Sequence, residues 1–341
     1  MSRFSQSLPA IAFWLLTCGY GFAQSFYLPT PNREIFKGGN EARFYAPTPG
    51  RDWISGTYGC VRSEGWQFHE GIDILRVNTD RRGEPADAIR VAADGVVSYV
   101  NNSSGKSNYG KYVVVRHRVE GISVYSLYAH LHTITKGLKR GTVMRGGQTI
   151  GLMGRTSNTR SPIARYRAHL HFEIALVLND RFDRWYKSAY KGGVNDHGIW
   201  NGRNLLGLDP TAILRKQQIE GQRFSLLDHI RYGKEMFRVL VPKKDFFYAR
   251  FYRPLVRRNP IAEREGIDGY EIVFDFAGVP CQLVPRSKTE VQFSSGPTLF
   301  SVDSVYARQR KCRKLIQQAG GKWQLTRSGR QMIDILTYGG K

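Results

Sequence analysis

Between residues 56 and 178 the apolar positions come in short β-branched and aromatic runs, at residues 89–93, 96–100, 112–116 and 122–128. Asp94-Gly95, Asn108-Tyr109-Gly110 and Glu120-Gly121 separate them. Runs of this length, punctuated by turn residues, predict strands. Their close spacing predicts a mainly β, antiparallel domain over residues 56–215. Ile72-Asp73-Ile74-Leu75 has the same strand-like character. Residues 179–204 are polar, aromatic and glycine-rich and predict a long inserted loop. Residues 205–214, containing Asp209-Pro210, close the domain.

The flanks have a different texture. Residues 24–55, rich in Pro, Gly, Asn and Arg, predict an extended lead-in. Residues 216–341 predict a separate C-terminal α+β domain. Its expected elements are a strand-like stretch over 237–255 and a further strand over 270–283 with a turn at Gly278-Val279-Pro280. Helical character follows over 305–319, ending at Gly320-Gly321, and residues 323–325 with 332–338 form a closing hairpin. This part carries no catalytic motif and no internal repeat.

Residues 1–23 predict a signal peptide. Arg3 supplies the positive start, and the apolar stretch 8–16 is shorter than the ~20 residues of a membrane span. Gly21-Phe22-Ala23 offers small residues for cleavage after Ala23. The expected destination is the periplasm or the extracellular side of the envelope, with no transmembrane anchor in the mature chain. Leu15-Leu16-Thr17-Cys18 faintly resembles a lipoprotein box, but Thr17 is a poor residue before the cysteine. An oxidising compartment favours one disulfide among Cys60, Cys281 and Cys312. Cys281 and Cys312 share the C-terminal part and are the candidate pair; three buried free thiols are the alternative. No CxxC spacing supports a cysteine metal site.

Charge adds a constraint on partners. The chain of 341 residues has 51 Lys+Arg against 28 Asp+Glu, a net charge of +23. Residues 24–215 carry 27 basic and 16 acidic side chains and residues 216–341 carry 23 and 12, a balance of +11 in each. An evenly spread excess fits anionic envelope polymers or a generally basic exported protein. No nucleic-acid-binding motif accompanies it, so nucleic acid is not an expected partner.

The candidate chemistry lies in three short segments: Phe68-His69-Glu70-Gly71-Ile72-Asp73, Tyr128-Ala129-His130-Leu131 and His169-Leu170-His171-Phe172-Glu173. Catalytic zinc takes three imidazole or carboxylate ligands and leaves a position open. His69 and Asp73 form a first pair. A fully extended chain would hold them roughly 13 Å apart between Cα atoms, so the chain must bend, and Gly71 permits it. His169 and His171 share one face of a strand at about 6.6 Å, with Leu170 and Phe172 on the other. One of them can bind a metal while the other reaches the reacting group. His130-Leu131-His132 is a second such pair, and spacing does not choose between them.

The ordered set His-x-Gly-x-Asp, Tyr-x-His-Leu and His-Leu-His-Phe-Glu resembles the lysostaphin-type, LytM-like zinc peptidases. Residues 141–151, with Gly141, Gly146, Gly147 and Gly151, resemble the glycine-bearing hairpin before that family's last strand. The resemblance covers about residues 56–215. It implies an antiparallel sheet with an open groove, Zn2+ bound by His69, Asp73 and His171, and catalytic roles for His130 and His169. It also implies hydrolysis of peptidoglycan stem peptides or cross-bridges. His132 has no family role and is expected at the surface, His117 is expected to be structural, and His197 and His229 are expected to be solvated. Glu173 is expected either to hold a ligand imidazole or to be a simple strand-end carboxylate. The family's Gly-Pro before the last His-x-His is missing; residues 155–168 carry four arginines there instead. That segment and the 179–204 insertion are expected to rim the groove and to alter substrate preference. Two rival readings are a non-enzymatic LytM-like regulator that binds the wall or an amidase, and a lipoyl- or biotinyl-carrier module. The carrier needs a lysine at the hairpin tip, where Val143-Met144-Arg145 supplies none.

Overall fold

The computed structural model describes residues 26–159 and 161–340. The signal-peptide and Cys18 readings fall on residues outside this range. A seven-stranded antiparallel sheet organises the N-terminal two thirds. Its strands are β1 (Ile72–Leu75), β2 (Gly95–Asn101), β3 (Tyr112–Val119), β4 (Ile122–Ala129), β5 (Val143–Met144), β6 (His169–Val177) and β7 (Leu205–Leu208). The order is β7-β6-β4-β3-β2-β5, and β1 shares with β7 the outer edge of β6. The mainly antiparallel β expectation for this part therefore holds, and the strands at 72–75, 96–100, 112–116 and 122–128 are all present. Of residues 89–93 only Ile89 and Arg90 are strand, in the short strand Ala88–Arg90.

Every residue of β4 and of β6 is buried, because the sheet is covered on both faces. Leu170, Phe172, Ile174 and Leu176 project into the main core. Their alternates Ala175 and Val177 join Tyr112, Val114, Tyr125, Leu127, Ala129 and Leu205 in a second, smaller cluster, with Tyr109 and Trp200 packed on it. The alternation along β6 thus places His169, His171 and Glu173 on the second face.

The lead-in is docked against β1: Ala46 N–H donates to Asp73 O at 2.8 Å, and Asn32 Nδ2 reaches Leu75 O at 2.9 Å. The predicted loop 179–204 contains a helix, α1 (Phe182–Ala189). Its buried Phe182 and Trp185 face the core, and Trp185 Nε1 donates to Asp334 Oδ2. Phe182, Trp185 and Tyr186 have the three- and four-residue spacing of one helix face, which the surrounding polar and glycine-rich composition masks. Two fully buried asparagines close the excursion. Asn204 Nδ2 donates to Asn179 O, while Asn179 Nδ2 donates to Ile335 O. α2 (Pro210–Glu220) follows, started by Pro210 behind an Asp209 cap that accepts from Thr211 N and Ala212 N.

The C-terminal part holds a four-stranded antiparallel sheet of β8 (Phe237–Val241), β9 (Gly269–Phe274), β10 (Pro280–Arg286) and β11 (Thr298–Val302), in the order β10-β9-β8-β11. Three expectations there need correction. The strand-like stretch 237–255 ends at Val241 and passes into the short helix Phe247–Phe251. The helix over 305–319 stops at Gln309; β12 (Ile316–Ala319) pairs with β13 (Lys322–Leu325) around Gly320-Gly321. Both glycines have positive φ, which is what a two-residue hairpin loop requires and what Gly-Gly supplies. Residues 332–338 are not a strand. They lie largely in α3 (Arg327–Thr337), capped by Thr326 and burying Met332, Ile333, Ile335 and Leu336 along one side.

The disulfide expectation is also corrected. Cys60 bonds to Cys312, and Cys281 is a free thiol buried on β10. Residues far apart in sequence meet because Phe68 and Tyr58 near Cys60 pack edge-on against Phe276 of the C-terminal part. One continuous hydrophobic cluster runs through both parts of the chain.

Candidate metal centre and groove

Backbone pairing assembles the centre. On one edge of β6, His171 is in register with Asp73; on the other it is opposite Ala129, the residue before His130. His69 ends the short strand Gln67–His69 and is brought back over β1 by the bend at residues 70–71. Gly71 is required there by contact: a Cβ on it would lie 2.3 Å from Phe172 O. His130 sits just past the end of β4 with φ +61°, a conformation that costs a non-glycine residue of order 1–3 kcal/mol. That turn swings its ring towards His169, with 4.9 Å between ring centres.

His69, Asp73 and His171 each offer a ligand atom, and these atoms lie within 4.8 Å of one another. His69 Nε2 is 3.1 Å from His171 Nδ1 and 3.3 Å from Asp73 Oδ1. The opposite nitrogens are engaged by acceptors: His69 Nδ1 by Thr57 O at 2.7 Å, and His171 Nε2 by Glu173 Oε1 at 2.8 Å. This network assigns both lone pairs to the inside of the cluster. Two imidazole lone pairs and a buried carboxylate facing one point repel each other unless a cation joins them. The Arg62 guanidinium already stands against the same atoms, 2.9 Å from His69 Nε2 and 2.7 Å from Asp73 Oδ2. The donor set of two nitrogens and one oxygen, all buried, fits zinc.

Burial opposes ionisation of Asp73, but the surrounding His69, His169 and His171 outweigh it and hold the carboxyl well below its usual range. Burial also opposes protonation of His171, yet hydrogen bonds to Asp73 and Glu173 lift that ring to about 9, so without a metal it carries both protons at pH 7 and a metal at Nδ1 would displace one of them. Glu173 is fixed in turn by the Tyr109 hydroxyl at 2.6 Å; burial and this carboxylate keep the phenol protonated as a donor. His130 and His169 behave in the opposite way. Burial, with the neighbouring rings of His169 and His171, depresses His130 to about 3, and burial depresses His169 as well. Their Nδ1 atoms meet Thr156 O at 2.8 Å and Arg167 O at 2.6 Å. Both rings are thus neutral at pH 7 with Nε2 available to accept a proton.

The centre opens into a groove of about 460 Å3. Arg62, Tyr109, Arg167, His197 and Trp200 line it beside the residues above. The 179–204 insertion therefore does rim the groove. His197 is not simply solvated: its Nδ1 is 2.6 Å from Tyr112 Oη. His229 is likewise half-buried and is pushed down to about 4 by burial. His132 is exposed and His117 is buried, as expected. Of the arginines in 155–168, Arg155 and Arg165 both clamp Glu84, and Arg167 faces the groove while donating from Nε to Pro47 O. Sequence reasoning missed Arg62, Tyr109 and Arg167. Tyr109 had been a mere turn signal, and Arg62 is one of many basic residues with nothing local to mark it.

Residues 67–183 match the model of Peptidase family M23. The matched segment, which holds the metal centre and the strands that line it, is similar to the domain of that family. The DD-carboxypeptidase/endopeptidase Mpg of Neisseria meningitidis is 35% identical over 111 residues, covering 33% of this chain and 21% of the relative. The chain spans about a fifth of the length of the curated relatives it matches. Among solved structures, a zinc containing peptidase from Vibrio cholerae is 25% identical, covering 39% of this chain and 30% of that one, with a TM-score of 0.23. The catalytic domain of lysostaphin from Staphylococcus simulans is 19% identical, covering 47% and 87%, with a TM-score of 0.28.

Proposed function

We propose that the protein is a zinc-dependent endopeptidase that hydrolyses cross-links or stem peptides of bacterial peptidoglycan in the periplasm or outside the cell. The observation that carries this reading is the convergence of His69 Nε2, Asp73 and His171 Nδ1, with the far nitrogen of each imidazole already engaged. The M23 match and a relative acting as a DD-carboxypeptidase/endopeptidase support a peptide substrate of wall chemistry.

Zinc, when bound, supplies Lewis acidity towards the scissile carbonyl and an attacking water, whose pKa falls towards ~7. His69, Asp73 and His171 would hold it, and Glu173 orients the His171 ring. His130 and His169 divide the proton traffic. One accepts a proton at Nε2 from water; the other steadies the developing oxyanion or passes a proton to the leaving amine. Arg62 and Arg167 line the groove and supply positive charge for substrate carboxylates.

The test is elemental analysis of the purified full chain together with digestion of purified sacculi, the products identified by mass. One zinc per chain and new peptide termini are expected. A folded protein with neither zinc nor products would leave the non-enzymatic regulator.

A further inference from the structure

A second concavity of about 370 Å3 shares no lining residue with the catalytic groove. Trp66 and Trp323 line it, Met236 and Leu315 are buried at its base, and Arg310, Lys311, Arg313 and Lys314 lie along it. We propose that this cleft binds an anionic glycan, and that it holds the sugar strand of the wall while the catalytic groove takes the attached peptide.

The aromatic contribution is presented deliberately. Trp66 is 54% exposed, an unusual position for the largest side chain. It follows Ser63, Glu64 and Gly65, three consecutive residues with positive φ, and this strained turn fixes where the indole stands. Lys311 and Lys314 place their ammonium groups 5.6 and 5.8 Å from the Trp66 ring centre. A flat apolar face next to fixed cations suits a ligand with both apolar C–H faces and acidic groups, as an acidic sugar has.

The charge is local and unopposed in sequence. No acidic residue occurs between Asp303 and Asp334, while Arg308, Arg310, Lys311, Arg313 and Lys314 fall within seven positions. Arg313 anchors the basic segment to the core: its guanidinium lies over the Phe68 ring at 4.9 Å, and against the burial that raises the pKa of the Asp275 carboxyl its charge lowers it.

The disulfide favours a glycan over a nucleic acid. Cys312 lies between Lys311 and Arg313 and is bonded to Cys60. Such bonds persist in oxidising compartments, where acidic polymers are chiefly those of the envelope. The same bond ties the basic segment to the strand Gly59–Arg62, whose last residue reaches the metal centre. The two sites are therefore held at a fixed spacing, as a polymer of sugars bearing peptides demands. The choice of wall glycan rests on the function proposed above; the binding test does not depend on hydrolysis.

The probe is peptide-free glycan from amidase-treated sacculi, titrated calorimetrically into the full chain. Wild-type protein should bind it, more weakly as salt rises. Trp66→Ala and the double variant Lys311→Gln/Lys314→Gln should each bind about tenfold or more weakly. Both should hydrolyse a soluble, glycan-free cross-linked peptide at the wild-type rate. The double variant leaves the strained turn intact, so it decides the matter if Trp66→Ala misfolds. Unchanged affinity in the double variant, no binding by wild type, or tighter binding of a single-stranded DNA oligonucleotide would overturn the proposal. Glycan binding by a chain that hydrolyses no peptide would support the cleft and count against the peptidase.

Discussion

At the residue scale, the roles of the four central histidines separate by which nitrogen is free. His171 presents Nδ1 to the ligand cluster, so His171→Ala should lose both metal and activity. Full zinc occupancy in that variant, by elemental analysis, would show that the ligand set is wrong. His130 and His169 stand next to the cluster with Nε2 free. Their alanine variants should keep most of the zinc and lose roughly 10²-fold or more in rate. Metal lost from either one would move it into the ligand set. Another buried histidine tests a different property. Burial pulls His117 down to about 4 from the ordinary 6.5, against its contact with Asp94 O. The unfolded chain therefore takes up this proton first as pH falls. The neutral ring's contribution is complete above about pH 6.5 and is lost progressively towards pH 4, by up to about 3 kcal/mol. Urea unfolding at several pH values should show that slope in the wild type and a shallower one in His117→Gln. The identities of the five central residues were legible because motif order carries them. Arg62 and Tyr109 were not, because their importance comes only from strand pairing and loop packing that no local pattern encodes.

At the scale of elements, strands with alternating or continuous β-branched residues were legible and the C-terminal helices were not. The run 122–128 has no competing interpretation. The stretch 305–319 does: its polar and basic residues suit a helix surface, yet the disulfided segment and the Gly320-Gly321 loop divert it into a hairpin. The bend that delivers His130 is another element-scale feature invisible in sequence. It is shaped by Gly154, where a Cβ would lie 2.3 Å from His132 N and 2.6 Å from His130 O. Gly154→Ala should cost about 1–3 kcal/mol of stability. It should also slow hydrolysis while leaving zinc bound, since none of the ligands lies in that turn. Denaturant titration with zinc analysis and turnover on the same sample checks all three outcomes; unchanged turnover would mean that the bend does not position His130.

At the scale of the whole molecule, we propose on the sequence pattern that residues 56–215 and 216–341 are two domains. One hydrophobic cluster is continuous across them. Tyr252 Oη accepts from Val177 N at the end of β6, and the aromatics Phe246, Tyr248 and Tyr252 are buried. A chain cut back to residues 26–215 should melt well below the full protein and bind a hydrophobic dye; an unchanged Tm would show that the first part folds alone. The Cys60–Cys312 bond closes a loop of 252 residues, long enough for cross-linking to stabilise by about 5 kcal/mol in the chain-entropy account.

That same bond changes what a cut in the chain would mean. Residues 191–194 are all exposed, at the tip of the groove-rimming insertion. A protease that severs the backbone there leaves Cys60 on one piece and Cys312 on the other, so the nicked protein remains one covalent particle. It would run as a single band without reductant and as two with it. A protein built this way survives clipping with its groove and its basic cleft still attached to each other.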